Sequence, residues 1–199
     1  IEAIRVLSSI GSKRDIPDLL KLAGDPIQEV AYEAVEAVKK IGYDPALIRK
    51  EFEEGDAEIK RSAVTAAGVL RDEKLAVIAR EGLQSEDWQL RKESAIALAK
   101  IKDKGSGGAL VTAVKKESQD DVVAAMAYAL GAIHYTGGIT PLADILMTKP
   151  RHPYKKEIVR SIARIGGSGV VKALKPLLRD MDPWVRFEAV EGLSTGEAK

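Results

Sequence analysis

Residues 25–42 read DPIQEVAYEAVEAVKKIG, and their apolar members fall at Val30, Ala34, Val35, Val38 and Ile41. Steps of four, one, three and three residues place all five along one face of an α-helix. The same steps return at Ile59, Ala63, Val64, Ala67, Leu70 and at Leu90, Ser94, Ala95, Leu98, Ile101. They return again at Val122, Met126, Ala127, Leu130, Ile133 and at Tyr154, Ile158, Val159, Ile162, Ile165. A sixth copy runs through Val185, Ala189, Val190 and Leu193, and the N-terminus carries the end of an earlier one at Ala3, Ile4, Leu7 and Ile10.

The first positions, 30, 59, 90, 122, 154 and 185, are 29, 31, 32, 32 and 31 residues apart. A fixed period of this size marks a stack of repeated units, each burying its apolar face on its neighbours. Shorter apolar segments lie between the copies: IPDLLKLA, PALIRKEF, KLAVIAREGL, GALVTAVKK, ITPLADILM and VVKALKPLL. Each repeat is therefore a hairpin of a short helix A and a longer helix B. The expected units are 1–12 (partial), 15–42, 44–71, 73–102, 105–134, 138–166 and 168–194, within one domain over 1–199.

Asp44-Pro45 and Thr140-Pro141 read as caps opening A helices, and Asp25-Pro26 and Asp182-Pro183 as caps opening B helices. In each, proline occupies the first turn, where its missing N–H costs nothing. Gly11, Gly42 and Gly166 follow the last apolar position, where a chain leaves its helix in a left-handed conformation. Pro176 falls inside an A helix and is expected to kink it.

DPIQEVAYEAVEAVKKIG (25–42) and DPWVRFEAVEGL (182–193) resemble the HEAT-like repeats first associated with phycobilisome lyases. The resemblance covers essentially the whole chain. It implies an all-α fold, an α-solenoid wound as a right-handed superhelix of about six hairpins, with B helices lining the concave face. It also implies a ladder in which Lys60, Arg91, Lys155 and Arg186 pair with Asp25, Asp56, Asp87, Asp120 and Asp182 of neighbouring A–B turns.

Of the 199 residues, 45% are hydrophobic, which excludes a disordered chain. Charged residues are 31% of the total but cancel to +1, far from the basic balance of a dedicated nucleic-acid binder. The absence of cysteine removes disulfides, thiolate metal sites and cysteine nucleophiles, and it fits a reducing, cytoplasmic setting. The longest nearly apolar run, VVAAMAYALGAI (122–133), is too short for a bilayer. Ile1 opens in what reads as mid-helix, so flanking domains of a longer parent protein are expected; Ile1, Ile4 and Leu7, where exposed, would favour association of the fragment.

No catalytic, metal or cofactor site emerges. The two histidines, His134 and His152, have no helical histidine partner. Deoxyhypusine hydroxylase, a HEAT-like enzyme, uses His-Glu pairs for iron, and the chain contains none. His134 is expected to cap or pack at a helix end. GSGGAL (105–110) lacks the strand and the Lys-Ser/Thr of a phosphate loop.

The informative positions lie two and six residues past each first apolar position. If the B helices line a groove, its middle is apolar (Ile96, Ala124, Tyr128), with Arg61, Lys92, Lys156 and Arg160 around it and Tyr32 farther along. An apolar anchor with a charged rim suits a protein or peptide partner, and the cations of the rim suit an acidic one. The same cations could instead follow a phosphate backbone, as in nucleic acid, and a phycobilin-lyase-like subunit or chaperone is a third reading.

KPRHPYKK (149–156) stands apart, because it is basic where the equivalent turns are acidic. It is either a longer solvated loop stiffened by its prolines, with Pro153 opening the next helix, or a basic edge facing an acidic partner or phosphate. That edge would consist of Lys149, Arg151, His152, Lys155 and Lys156. A contact with flanking repeats is the remaining alternative. Either way the acid–base ladder should break there.

Overall fold

Every stripe becomes one helix, and every intervening apolar segment becomes another. In the computed structural model, which describes residues 1–196, the chain runs α1 (Glu2–Ile10), α2 (Ile16–Leu22), α3 (Gln28–Ile41), α4 (Pro45–Glu54), α5 (Ala57–Leu70), α6 (Ala76–Gly82) and α7 (Trp88–Ile101). It continues through α8 (Gly107–Val114), α9 (Asp120–Ala132), α10 (Ile139–Thr148), α11 (Lys155–Ile165), α12 (Gly169–Leu174) and α13 (Pro183–Gly196). No strand occurs among the described residues. The even-numbered helices are the A members of the hairpins and the odd-numbered ones the B members. This is the α-solenoid class. The chain divides into two compact units, Ile1–Ile101 and Lys102–Lys199.

In each unit the B helices stack on one another: α1 on α3 and α5 on α7 in the first, α9 on α11 and α11 on α13 in the second. The A helices pack against their own B partners. The stripes fill the interior, and Val38, Ala63, Val64, Leu98, Met126, Leu130, Ile158 and Ile162 are wholly buried.

Neighbouring B helices approach closely, and glycine sits where they do. A Cβ on Gly68 (α5) would come within 2.8 Å of the Ala97 Cα of α7. The residues facing such positions are small too: Ala97, Ser161 and Ala163. A larger side chain there would have to push two backbones apart.

Several expected helix ends are confirmed and others move. The Asp44 side chain accepts the Ala46 N–H at 2.9 Å and caps α4, with Pro45 in its first turn. The Asp182 carboxylate accepts the Trp184 N–H at 2.8 Å. Asp25 acts two residues early: it accepts the Ile27 N–H at 2.8 Å, and α3 begins only at Gln28. Thr140 is not a cap, because a 3-10 turn at Thr136–Gly138 leads into α10 and leaves Thr140 inside the helix. Such turns also precede α2, α6 and α8, so the A helices start earlier than the proline signal suggests.

Gly42 (φ 85°) and Gly166 (φ 76°) are left-handed as expected, but Gly11 is extended at φ −69°. Three other helix ends leave through left-handed residues that are not glycine: Arg71, Lys102 and His134. Pro176 does not kink a helix. α12 stops at Leu174, and a 3-10 segment, Lys175–Arg179, carries the proline. At the N-terminal end Ile4 is buried, in a helix packed on α3, while Ile1, Val6 and Ile10 are exposed.

Leu98 is completely enclosed. Leu98→Ala should lower the unfolding free energy by about 2–5 kcal/mol, the sum of lost transfer energy and a residual cavity. A urea melt checks this, and an unchanged midpoint would contradict the packing described.

Candidate functional site

On α3, Glu29 and Tyr32 are three residues apart and share a face. On α5 the same side carries Arg61, Thr65 and Val69, and on α7 it carries Trp88, Lys92 and Ile96. These residues, with the Ala23–Pro26 turn, line an open groove of about 1000 Å³ within the first unit. Four of the residues picked out from the sequence, Tyr32, Arg61, Lys92 and Ile96, therefore do share one surface. Tyr32 is 56% exposed and Trp88 40%, while Ile96 is half-buried at the groove floor.

The charges are less available than the sequence suggests. Arg61 Nη1 donates to Asp87 Oδ2 at 2.6 Å, with both side chains half-buried. Burial would raise the Asp87 pKa, but the Arg61 hydrogen bond and the Gln89 N–H outweigh it and hold the carboxyl below its ordinary value. The Lys92 ammonium stands over the Trp88 ring, 6.0 Å from its centroid. Glu93 accepts a long hydrogen bond from the Thr65 hydroxyl at 3.5 Å.

The other predicted groove residues lie in the second unit, on α9 and α11. Ala124 is half-buried and Tyr128 is exposed, with the Arg164 guanidinium 5.7 Å from the centre of its ring. Lys156 lies 3.8 Å from Glu157. Arg160 is held by two hydrogen bonds to Glu188 of α13, its Nε donating to Oε2 at 3.1 Å and its Nη2 to Oε1. Arg160 is thus not an unpaired groove cation.

Glu188 was invisible to the stripe pattern, although a signal existed. Arg5 pairs with Glu33 at 3.3 Å, Thr65 with Glu93, and Arg160 with Glu188, each across 28 residues and between successive B helices. A side-chain rung six residues past one first apolar position meets a glutamate three past the next.

The ladder implied by the resemblance takes another form. Arg91 and Arg186 donate to main-chain carbonyls of the turns preceding them, Ser85 and Glu86 for the first, Asp180 and Met181 for the second. Asp56, Asp87 and Asp182 accept N–H groups at the starts of their own helices.

The basic turn is not an open basic edge, and the row of charge contacts is not broken there. Lys149 Nζ donates to Asp120 Oδ1 at 3.0 Å, reaching back one repeat. Lys155 pairs forward with Asp180, and both side chains are nearly buried. The His152 side chain is fully enclosed. Its Nδ1 accepts the Tyr154 N–H at 3.1 Å, which fixes the neutral tautomer with hydrogen on Nε2. That Nε2 lies 3.3 Å from Asp120 Oδ1 without an aligned hydrogen bond. Arg151 remains exposed. The turn is basic because its side chains answer carboxylates on both sides. His134 ends α9 in the left-handed region, and its Nδ1 donates to the Arg164 carbonyl at 2.7 Å.

The family model for HEAT repeats matches residues 45–131 and 139–196. The chain belongs to the HEAT-repeat family. No curated protein matches it. Among solved structures, this HEAT chain is similar to an engineered protein at 23% identity and TM-score 0.64, covering 99% of this chain and 96% of that one. It is similar to a designed armadillo repeat protein in complex with the peptide (KR)4, at 16% identity and TM-score 0.61, covering 90% and 98%. Human deoxyhypusine hydroxylase in complex with glycerol aligns at 20% identity and TM-score 0.54, covering 100% and 79%. At these identities the likeness concerns the fold. Among the described residues, no three His, Cys, Asp or Glu side chains are grouped to hold a metal, and no helix is long and apolar enough to cross a membrane.

Burial holds the His152 pKa below its ordinary value; Asp120 and Glu157 pull upward and Lys149 downward, and burial prevails. The folded chain therefore favours the neutral ring. Stability should be complete above the unfolded imidazole value of about 6.5 and should fall as pH drops through it toward the lower folded value. Chemical denaturation of wild type and His152→Gln across that range checks this, and the variant should lose the histidine-dependent part of the slope.

Proposed function

We propose that this HEAT chain is a non-enzymatic scaffold that grips a protein or peptide segment against the exposed faces of its B helices. The groove of the first unit carries this reading. It combines a half-buried aliphatic floor at Ile96, two accessible aromatic rings and a polar rim, which is the composition of binding hot spots. Ala124 and Tyr128 supply a second apolar anchor on α9 of the other unit, with Lys156 beside it on α11. The peptide complex of a designed armadillo repeat protein with a similar fold supports a peptide as the kind of partner such helices hold.

A phosphate-backbone partner draws on Arg61, Lys92, Lys156 and Arg160. Two of those four, Arg61 and Arg160, are already neutralised by Asp87 and Glu188, so this reading has the weaker footing.

Affinity capture with a variant carrying Tyr32→Ala, Ile96→Ala and Tyr128→Ala tests the proposal. A partner retained by wild type should be lost by the triple variant and kept by Glu53→Gln, a change at an exposed position of the A helix α4. Equal retention by all three proteins removes the B-helix faces from the reading. A steep loss of wild-type binding with rising salt, following log[salt] over several units of slope, would favour the phosphate backbone instead.

A further inference from the structure

We infer that the groove of the first unit takes a basic, arginine-bearing segment of its partner, not an acidic one. The inference rests on the scaffold reading above and names the chemistry of the occupant.

The sign of the groove follows from which charges are already answered. Among the described residues, three of its carboxylates, Asp25, Glu29 and Glu93, form no ion pair; Glu29 has a minor charge interaction with Arg5, whose ion pairs are with Glu2 and Glu33. Asp25 accepts the main-chain N–H of Ile27, and Glu93 accepts the Thr65 hydroxyl, both neutral donors that leave the charge in place. The strongest groove cation, Arg61, is spent on Asp87, which lies just behind it. Lys92 is drawn over Trp88. The lining holds three carboxylates (Asp25, Glu29, Glu93) and three cations (Arg61, Lys92, Lys100); with Arg61 neutralised by Asp87, which is not itself part of the lining, three carboxylates stand against two cations.

The negative end also has a shape. Asp25, Glu29 and Tyr32 come together where the 23–26 turn enters α3, away from Lys92 and Lys100 on α7. Among the described residues no cation stands over the face of Tyr32, whereas the Trp88 ring already has one above it. An aromatic face beside a carboxylate suits a guanidinium, which stacks flat on the ring while its N–H groups reach the carboxylate oxygens. Lysine would satisfy the charge but not the stacking. An arginine on Tyr32 and Glu29 leaves the rest of the segment to run along Val69 and Ile96 toward Trp88.

The test uses the full chain with Trp184→Phe, which makes Trp88 its single indole. The probes are three fluorescein-free Gly-Ser peptides of equal length, carrying four arginines, four glutamates or no charge. The arginine peptide should change Trp88 emission saturably, and Glu29→Gln and Tyr32→Ala should each weaken it about five- to tenfold. Glu53→Gln, on the A helix α4 and outside the groove, should leave it unchanged.

Tighter binding by the glutamate peptide, still sensitive to Tyr32→Ala, would overturn the basic partner while leaving the groove as a binding site. Arginine binding indifferent to Glu29→Gln and Tyr32→Ala would overturn the assignment of the clamp. Failure of every peptide to perturb Trp88 would overturn this inference, and the scaffold reading is then decided separately by the capture experiment with Tyr128→Ala alone.

Discussion

The close approach of one B helix to the next is the constraint on which the other features depend. Gly68 meets Ala97, Gly131 meets Ser161 and Gly192 meets Ala163, so the backbones stand nearer than large side chains would permit. At these three contacts that spacing requires a small residue on both sides, with a stripe of larger ones beneath to fill the interior. It also decides where polar side chains go. A glutamate on one helix lies within reach of an arginine or threonine on its neighbour, and the 28-residue rungs at Arg5–Glu33, Thr65–Glu93 and Arg160–Glu188 follow.

Those rungs change the electrostatic character of the B-helix faces. A row of basic residues read along the chain looks like a positive strip. In three dimensions, Arg61 and Arg160 face carboxylates one repeat farther on, while among the described residues Asp25 and Glu29 form no ion pair. The same accounting explains the basic turn. Lys149 answers Asp120 behind it and Lys155 answers Asp180 ahead, so the local charge excess at 149–156 is a structural fit across repeats. His152 goes further and leaves the surface entirely, trading solvation for a bond that receives the Tyr154 N–H at the start of α11.

The helices and the interior were legible in the sequence because both obey a period. Stripe residues such as Val38, Leu98 and Met126 sit at the core positions their spacing implies. The gathering of Tyr32, Arg61, Lys92 and Ile96 on one surface was legible for the same reason. Pairing was not, because a charge shows its residue type in the sequence and its partner only in space. Trp88 and Glu29 escaped notice because they lie just before the stripe, at offsets of minus two and minus one from Leu90 and Val30. The 3-10 turns ahead of α2, α6, α8 and α10 escaped because their entry residues, such as Lys13–Asp15, carry no proline to mark them.

The hairpins touch mainly their neighbours, so nearly all stabilising contacts join residues about one repeat apart along the chain. A chain built this way has little loop to close before its first native contacts form. Any adjacent pair of hairpins within a unit can serve as the seed, and growth then proceeds one repeat at a time. Helices held between two B-helix neighbours, such as α5 between α3 and α7 and α11 between α9 and α13, gain from both. Amide exchange should accordingly be slowest there.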